Sequence, residues 1–185
     1  MTGASSYSWI FEDGLDVATC VTVVADARSD EVLGRFGADT TRVLDPERDD
    51  EAYGGSVAAT DVAGGVVAVE TNGFQGSLEP VLLRVAAGGT AASVFWNVNG
   101  DNSFVLVRHG AVVVDVDLYD AEDDDDASDS TIPPELQGLW SQIGSDDDPE
   151  PWAAGLAMAA AATGVAIPRE AVAAPARRHP LPQEA

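Results

Sequence analysis

The stretch AASVFWNVNGDNSFVLVRHGAVVVDVDL, residues 91–118, decides how this chain folds. It holds three extended runs, Ala91–Asn99, Ser103–Arg108 and Ala111–Leu118. They are joined by Asn99-Gly100-Asp101-Asn102 and His109-Gly110, residue types that tight turns demand. Connections this short can join only antiparallel neighbours, because a parallel pair needs a crossover of a dozen or more residues. The stretch therefore predicts a three-stranded antiparallel meander. In its first run the period of two sets Phe95, Asn97 and Asn99 on one face and Val94, Trp96 and Val98 on the other.

Upstream, Asn72-Gly73-Phe74-Gln75-Gly76 reads as a turn, and Ser77 as the cap of a helix. The apolar positions Leu78, Val81, Leu82 and Val85 follow at i, i+3, i+4 and i+7, one face of that helix, with Gly88 and Gly89 at its end. Gly65–Glu70, Gly-Val-Val-Ala-Val-Glu, is apolar on both faces and predicts a central, fully covered strand. Ala38–Ala63 is polar and acidic, a long loop with a weak strand at Ser56–Thr60. Ser29 predicts a helix N-cap ahead of Asp30 and Glu31, with Val32, Leu33 and Phe36 buried and Gly37 as the stop. Cys20–Val24 reads as a buried strand.

Downstream, residues 119–131 form a low-complexity acidic loop. Ile132–Ile143 resumes helical spacing through Leu136, Leu139, Trp140 and Ile143. Asp148 and Pro149 read as N-cap and first turn of a last helix that ends at Thr163 before Gly164, with Trp152, Leu156 and Ala159 inward. The acids Asp146–Asp148 there complement the helix dipole. Residues 173–185 lack periodicity and read as a disordered tail. The expectation is a single α+β domain over residues 1–172: an antiparallel sheet, central strand plus meander, packed by about four helices. Trp9, Trp96, Trp140 and Trp152 each fall on a periodic apolar face and read as core.

Charge sets the partners that are excluded. The 185 residues carry 32 acids against nine arginines and no lysine, a net charge of −23. No arginine or lysine lies between Arg108 and Arg169, an interval holding 14 of the acids. Such a surface repels nucleic acid phosphates and anionic lipid. No apolar run is long enough to span a membrane, and the N-terminus lacks the basic start of a signal peptide, so the expected location is the cytoplasm. The lone Cys20 excludes an internal disulfide and reads as inert core.

Several segments together resemble a known family. They are Trp9, Cys20-Val21-Thr22, Arg35-Phe36-Gly37, Val69-Glu70-Thr71-Asn72-Gly73-Phe74-Gln75-Gly76, Ser93-Val94-Phe95-Trp96-Asn97-Val98-Asn99 and Thr163-Gly164-Val165. The chain resembles, over roughly Trp9 to Val172, a domain family of unknown function common in high-GC Gram-positive bacteria. The resemblance implies a single bacterial domain. It implies no activity and carries over no catalytic residue.

Two constellations bear on chemistry. Glu70 and Asn72 at one strand end, with Asn97 and Asn99 at another, could converge on a ligand or a water. The plainer reading is local: Asn97 and Asn99 close a hairpin and Glu70 binds backbone amides across the turn. Asp115, Asp117, Asp120 and the run Glu122, Asp123, Asp124, Asp125, Asp126 cluster carboxylates, but without the spacing of a calcium loop. His109 and His179 lie too far apart in sequence for a zinc motif. Nucleophile elbow, phosphate-loop and dinucleotide patterns are missing. No cofactor or metal is expected. The sequence thus points to a non-catalytic protein-interaction domain, immunity or regulatory in type, presenting Glu122–Asp126 to a basic protein. The other reading is a small enzyme or ligand-binding protein with Glu70, Asn72, Asn97 and Asn99 in a cleft. Nothing in the sequence fixes the oligomeric state.

Overall fold

The computed structural model describes residues 4–15, 17–45, 55–119, 132–143, 150–174 and 177–182. Among them lie seven strands: β1 (Ala18–Ala25), β2 (Ser56–Val62), β3 (Gly65–Thr71), β4 (Thr90–Asn97), β5 (Asn102–Arg108), β6 (Ala111–Asp117) and β7 (His179–Pro180). They form one sheet in the order β6-β5-β4-β1-β3-β2-β7, each neighbouring pair antiparallel. The helices are α1 (Trp9–Glu12), α2 (Ser29–Phe36), α3 (Glu79–Ala86), α4 (Pro134–Trp140), α5 (Pro151–Thr163) and α6 (Arg169–Ala173). The fold is α+β, as the sequence predicts.

The meander is β4-β5-β6, in register from Thr90↔Arg108 to Ser103↔Asp117 with one bulge after Leu106. The sheet is larger than expected, and its middle strand is β1, not β3. Both strands are buried on both faces, so either composition suits an interior position. The run β1-α2-β2-β3-α3-β4 with sheet order β4-β1-β3-β2 is the split βαβ arrangement. Each helical crossover joins two parallel strands across one antiparallel strand. Thus α3 carries the chain from β3 over β1 to β4, and the meander grows outward from there.

Two cores lie on the two faces. On one, α2 and α3 set Val32, Leu33, Phe36, Leu82 and Val85 against Val24, Val66, Ala68, Val105 and Val107. On the other, α5 and α4 cover Val21, Val67, Val69, Val94, Trp96, Phe104 and Leu106. Residues Pro151–Ala159 of α5 are all buried, which is why this helix has no polar face. Gly155 marks its closest approach to the sheet: a Cβ there would stand 2.9 Å from Val94 Cγ1 and 3.1 Å from Leu118 Cδ1. Trp96, Trp140 and Trp152 are core; Trp9 is only partly buried.

Helix starts depart from the sequence reading. Ser29 is the first residue of α2, not its cap, and Arg28 holds the cap position. The Ser29 amide and hydroxyl both donate to Asp61, at 2.9 and 2.8 Å, so a carboxylate from β2 satisfies this end. The Ser77 hydroxyl turns back to the Phe74 carbonyl at 2.7 Å, and Leu78 caps α3. Helix ends follow expectation at Gly37 and Gly164, both left-handed, while α3 stops at Ala87. The α4 helix begins only at Pro134, since Pro133 takes an extended conformation. The Asp148-Pro149 start lies outside the described residues; α5 begins at Pro151.

Residues 177–182 differ from the tail expected from Ala173 onward. Helix α6 reaches Ala173, and β7 pairs His179 with Val57 and Pro180 with Ser56. The Pro180 carbonyl accepts from the Asp39 amide at 2.9 Å, and the Leu181 amide donates to Gly55 at 2.7 Å. His179 is buried, its Nδ1 2.7 Å from the Arg42 carbonyl, and Leu181 is 6% exposed. The pairing is long-range and Pro-rich, so no local period announces it. Truncation after Ala176 is expected to destabilise the chain by about 2 kcal/mol, the burial of one leucine and its neighbours. Thermal unfolding of the truncated chain checks this; an unchanged midpoint would return the segment to a tail.

Candidate functional site

The register across β1 gathers a polar cluster on the α2/α3 face. Cys20 stands opposite Glu70 of β3 and Phe95 of β4, and Thr22 opposite Ala68 and Ser93. Glu70, Cys20, Thr22 and Ser93 therefore share one face. All four are buried, Glu70 at 1% exposure. The turn after β3 closes over them. The Gln75 amide donates to Glu70 Oε1 at 2.9 Å and the Gly76 amide to Oε2 at 2.7 Å. Cys20 Sγ lies 3.2 Å from Ser93 Oγ, which lies 3.5 Å from Thr22 Oγ1.

This lid requires glycine at position 76. A Cβ there would collide with Thr22 Oγ1 and stand 2.9 Å from Glu70 Oε2. Burial pushes the Glu70 carboxyl up to about 7; the amides of Gly76 and Gln75 and the Cys20 thiol pull the other way without cancelling it. Burial and then the Glu70 charge hold the Cys20 thiol well above its ordinary range. A thiol kept protonated and sealed from solvent is a poor nucleophile. The arrangement is suited to fixing the turn between β3 and α3 rather than to turning over a substrate.

The other residues read as site candidates are engaged locally. Asn72 is exposed and left-handed, φ 54°, with its amide donating to Ala18 at 2.9 Å. Asn97 Oδ1 accepts from the Asn99 and Asp101 amides at 2.9 and 3.1 Å, and its Nδ2 donates to Asp101 at 2.7 Å. Asn99 is exposed. Strand β1 separates Glu70 from Asn97, about 10 Å across the sheet at ordinary strand spacing. Asp115 and Asp117 stand exposed on β6, an outer strand of the sheet. Glu122–Asp126 lie outside the described residues, as do Asp120 and Asp146–Asp148. His109 occupies a left-handed turn position, φ 53°. Among the described residues, no group of three or more His, Cys, Asp or Glu side chains is placed to hold a metal ion.

Cys20, Thr22, Ser93 and Gly76 were not read from the sequence as parts of a cluster. The available signal was Cys20 and Thr22 at alternate positions of an otherwise apolar strand.

A family model matches residues 1–176, from the N-terminal turn through α6. The chain belongs to DUF6461, a family of unknown function. The DUF6461 match includes β1 to β6, the Glu70 cluster and its lid, and it assigns no activity to any of them. No curated protein and no solved structure matches the chain. Among the described residues of this DUF6461 chain, no helix is long and apolar enough to cross a membrane.

Proposed function

We propose that this chain is a cytoplasmic bacterial protein-interaction domain, non-catalytic and of immunity or regulatory type, that presents an acidic surface to a basic partner. The observation that carries the reading is the fate of its few cations. Arg28, Arg35, Arg108 and Arg169 each pair with a carboxylate of the chain itself, at 3.7, 3.4, 2.7 and 2.8 Å. Arg84 donates to the Arg35 carbonyl. With 32 acids against nine arginines, carboxylates outnumber the cations by more than three to one. Asp115 and Asp117 on the outer strand β6, together with Glu122–Asp126 just beyond it, are the groups we assign to the partner. An acidic surface of this kind speeds encounter with a cationic protein and repels nucleic acid and anionic membrane. The engagement of Glu70, Asn97 and Asn99 by neighbouring backbone and side chains supports the non-catalytic half of the proposal.

A short peptide alternating Lys and Val is a defined probe, with its Gln-for-Lys counterpart as control. Saturable binding of the Lys peptide alone is expected, with affinity falling steeply from about 0.05 to about 0.3 M salt. Changing Glu122–Asp126 to Gln and Asn should slow association several-fold. The same loss of charge at Asp30, Glu31, Asp39, Glu79 and Asp101 should slow it far less. Equal effects of the two sets, or equal binding of both peptides, would reduce the acidity to bulk charge and sink the proposal.

A further inference from the structure

A second feature lies on the opposite side of the sheet from Glu70. Helices α4 and α5 and residues 165–168 enclose an open groove of about 770 Å³. Leu139, Ala157, Ala160 and Ile167 give it an apolar lining. Small side chains on α5 create the space, since larger ones would let the helix fill it. Tyr7, at the end of the N-terminal turn Ala4–Tyr7, is among the residues that line it. The Tyr7 side chain is 2% exposed, yet among the described residues its hydroxyl has no hydrogen-bond partner. The hydroxyl is not itself sealed, so it is open to a partner arriving in the groove. Burial also raises its pKa, so the hydroxyl stays protonated and able to donate.

The rest of the lining narrows the chemistry. Among the described residues of the lining, Gln142 is the one other neutral polar side chain, and Glu135 the one charged side chain. Glu135 is paired with Arg108 at 2.7 Å, an interaction that holds its carboxyl below the usual range. Among the described residues no arginine lines the groove. An anionic ligand would meet the Glu135 carboxylate, while the neighbouring Arg108 is already engaged by that carboxylate. The volume falls within the range of small-molecule sites, which are mostly apolar with a few convergent polar groups.

We propose that this groove binds a small, largely apolar molecule, neutral or cationic, that presents one hydrogen-bond acceptor to the Tyr7 hydroxyl. The inference is independent of the acidic-surface reading, because it rests on a different face and on different residues.

The full chain titrated with Nile red, a neutral apolar dye bearing a carbonyl acceptor, tests it. Saturable one-to-one binding is expected. Tyr7→Phe removes the hydroxyl alone and should weaken binding about tenfold, the equivalent of one hydrogen bond. Because that hydroxyl makes no internal bond, the thermal midpoint of the dye-free variant should not fall. Ala161→Trp, at an exposed position on the groove wall, should fill the space and abolish binding without unfolding the chain. The anionic dye 1-anilinonaphthalene-8-sulfonate should bind at least tenfold more weakly than Nile red. Indifference of dye binding to either substitution, or tighter binding of the anionic dye, would overturn the proposal. So would an amphipathic helical peptide that occupies the groove and that Nile red cannot displace, which would assign the face to a protein instead.

Discussion

Trp96→Ala should cost on the order of 3–5 kcal/mol, the range for removing a fully buried large side chain. Trp96 is 1% exposed and sits on β4 facing α5, its ring 5.5 Å from that of Trp152. Its indole Nε1 donates to the Leu15 carbonyl at 2.8 Å, tying the N-terminal segment to the sheet. Alanine would leave a cavity between sheet and helix and remove one of the two donors to the Leu15 carbonyl, the Thr19 hydroxyl remaining at 3.0 Å. Domains of this size are stable by about 5–15 kcal/mol, so the loss is a large fraction of the whole. Urea denaturation measures it. The variant's midpoint should fall sharply, and Trp96→Phe should fall less, because a ring remains to meet Trp152. A near-native midpoint for Trp96→Ala would show that this ring does not hold α5 to the sheet.

The sequence made the local parts of this structure legible and left the long-range parts dark. Alternation and turn chemistry were enough for β4, β5 and β6, since their pairing follows from connections of a few residues. Helical spacing was enough for the buried faces of α2 and α3. The placement of β1 between β3 and β4 was not readable, because two strands apolar on both faces look alike in sequence. That placement decides the fate of the candidate site: it parts Glu70 from Asn97 and sets Glu70 against Cys20. The cluster under the lid joins residues 50 and 73 positions from Cys20 in the chain, Glu70 and Ser93, and no spacing rule reaches so far. Helix caps failed for a related reason. Ser29 looked like a cap by type, but Asp61 on the neighbouring β2 supplies the acceptor instead. The docking of residues 177–182 likewise depends on the exposed edge of β2, which sequence reading had left as a weak strand.

Glu70→Gln is the substitution that separates a structural carboxyl from a functional one. The Glu70 carboxyl sits at about 7 in the folded chain, against an ordinary value of 4.5. The folded state therefore holds this proton more tightly than the unfolded state does. Between about pH 4.5 and 7 folding takes up a proton, so Glu70 makes its full contribution at the acid end of that window. The contribution is lost as pH rises through 7, by about 3 kcal/mol in all. A glutamine cannot titrate, so the Gln variant lacks that slope, and the other carboxylates cancel in the difference between the two proteins. Glutamine also turns an N–H toward one of the two lid amides, leaving a buried donor unpaired at a cost of about 1–3 kcal/mol. Near pH 6 the variant should thus be the less stable protein by about that amount, and by pH 8 the gap should close or reverse. Parallel stability curves from pH 5 to 8 would show that Glu70 does not titrate in this window. Because the carboxyl clamps the turn from inside, the folded variant should bind the Lys-Val peptide as the parent does. A variant that is stable yet has lost that binding would move Glu70 from the scaffold into the site.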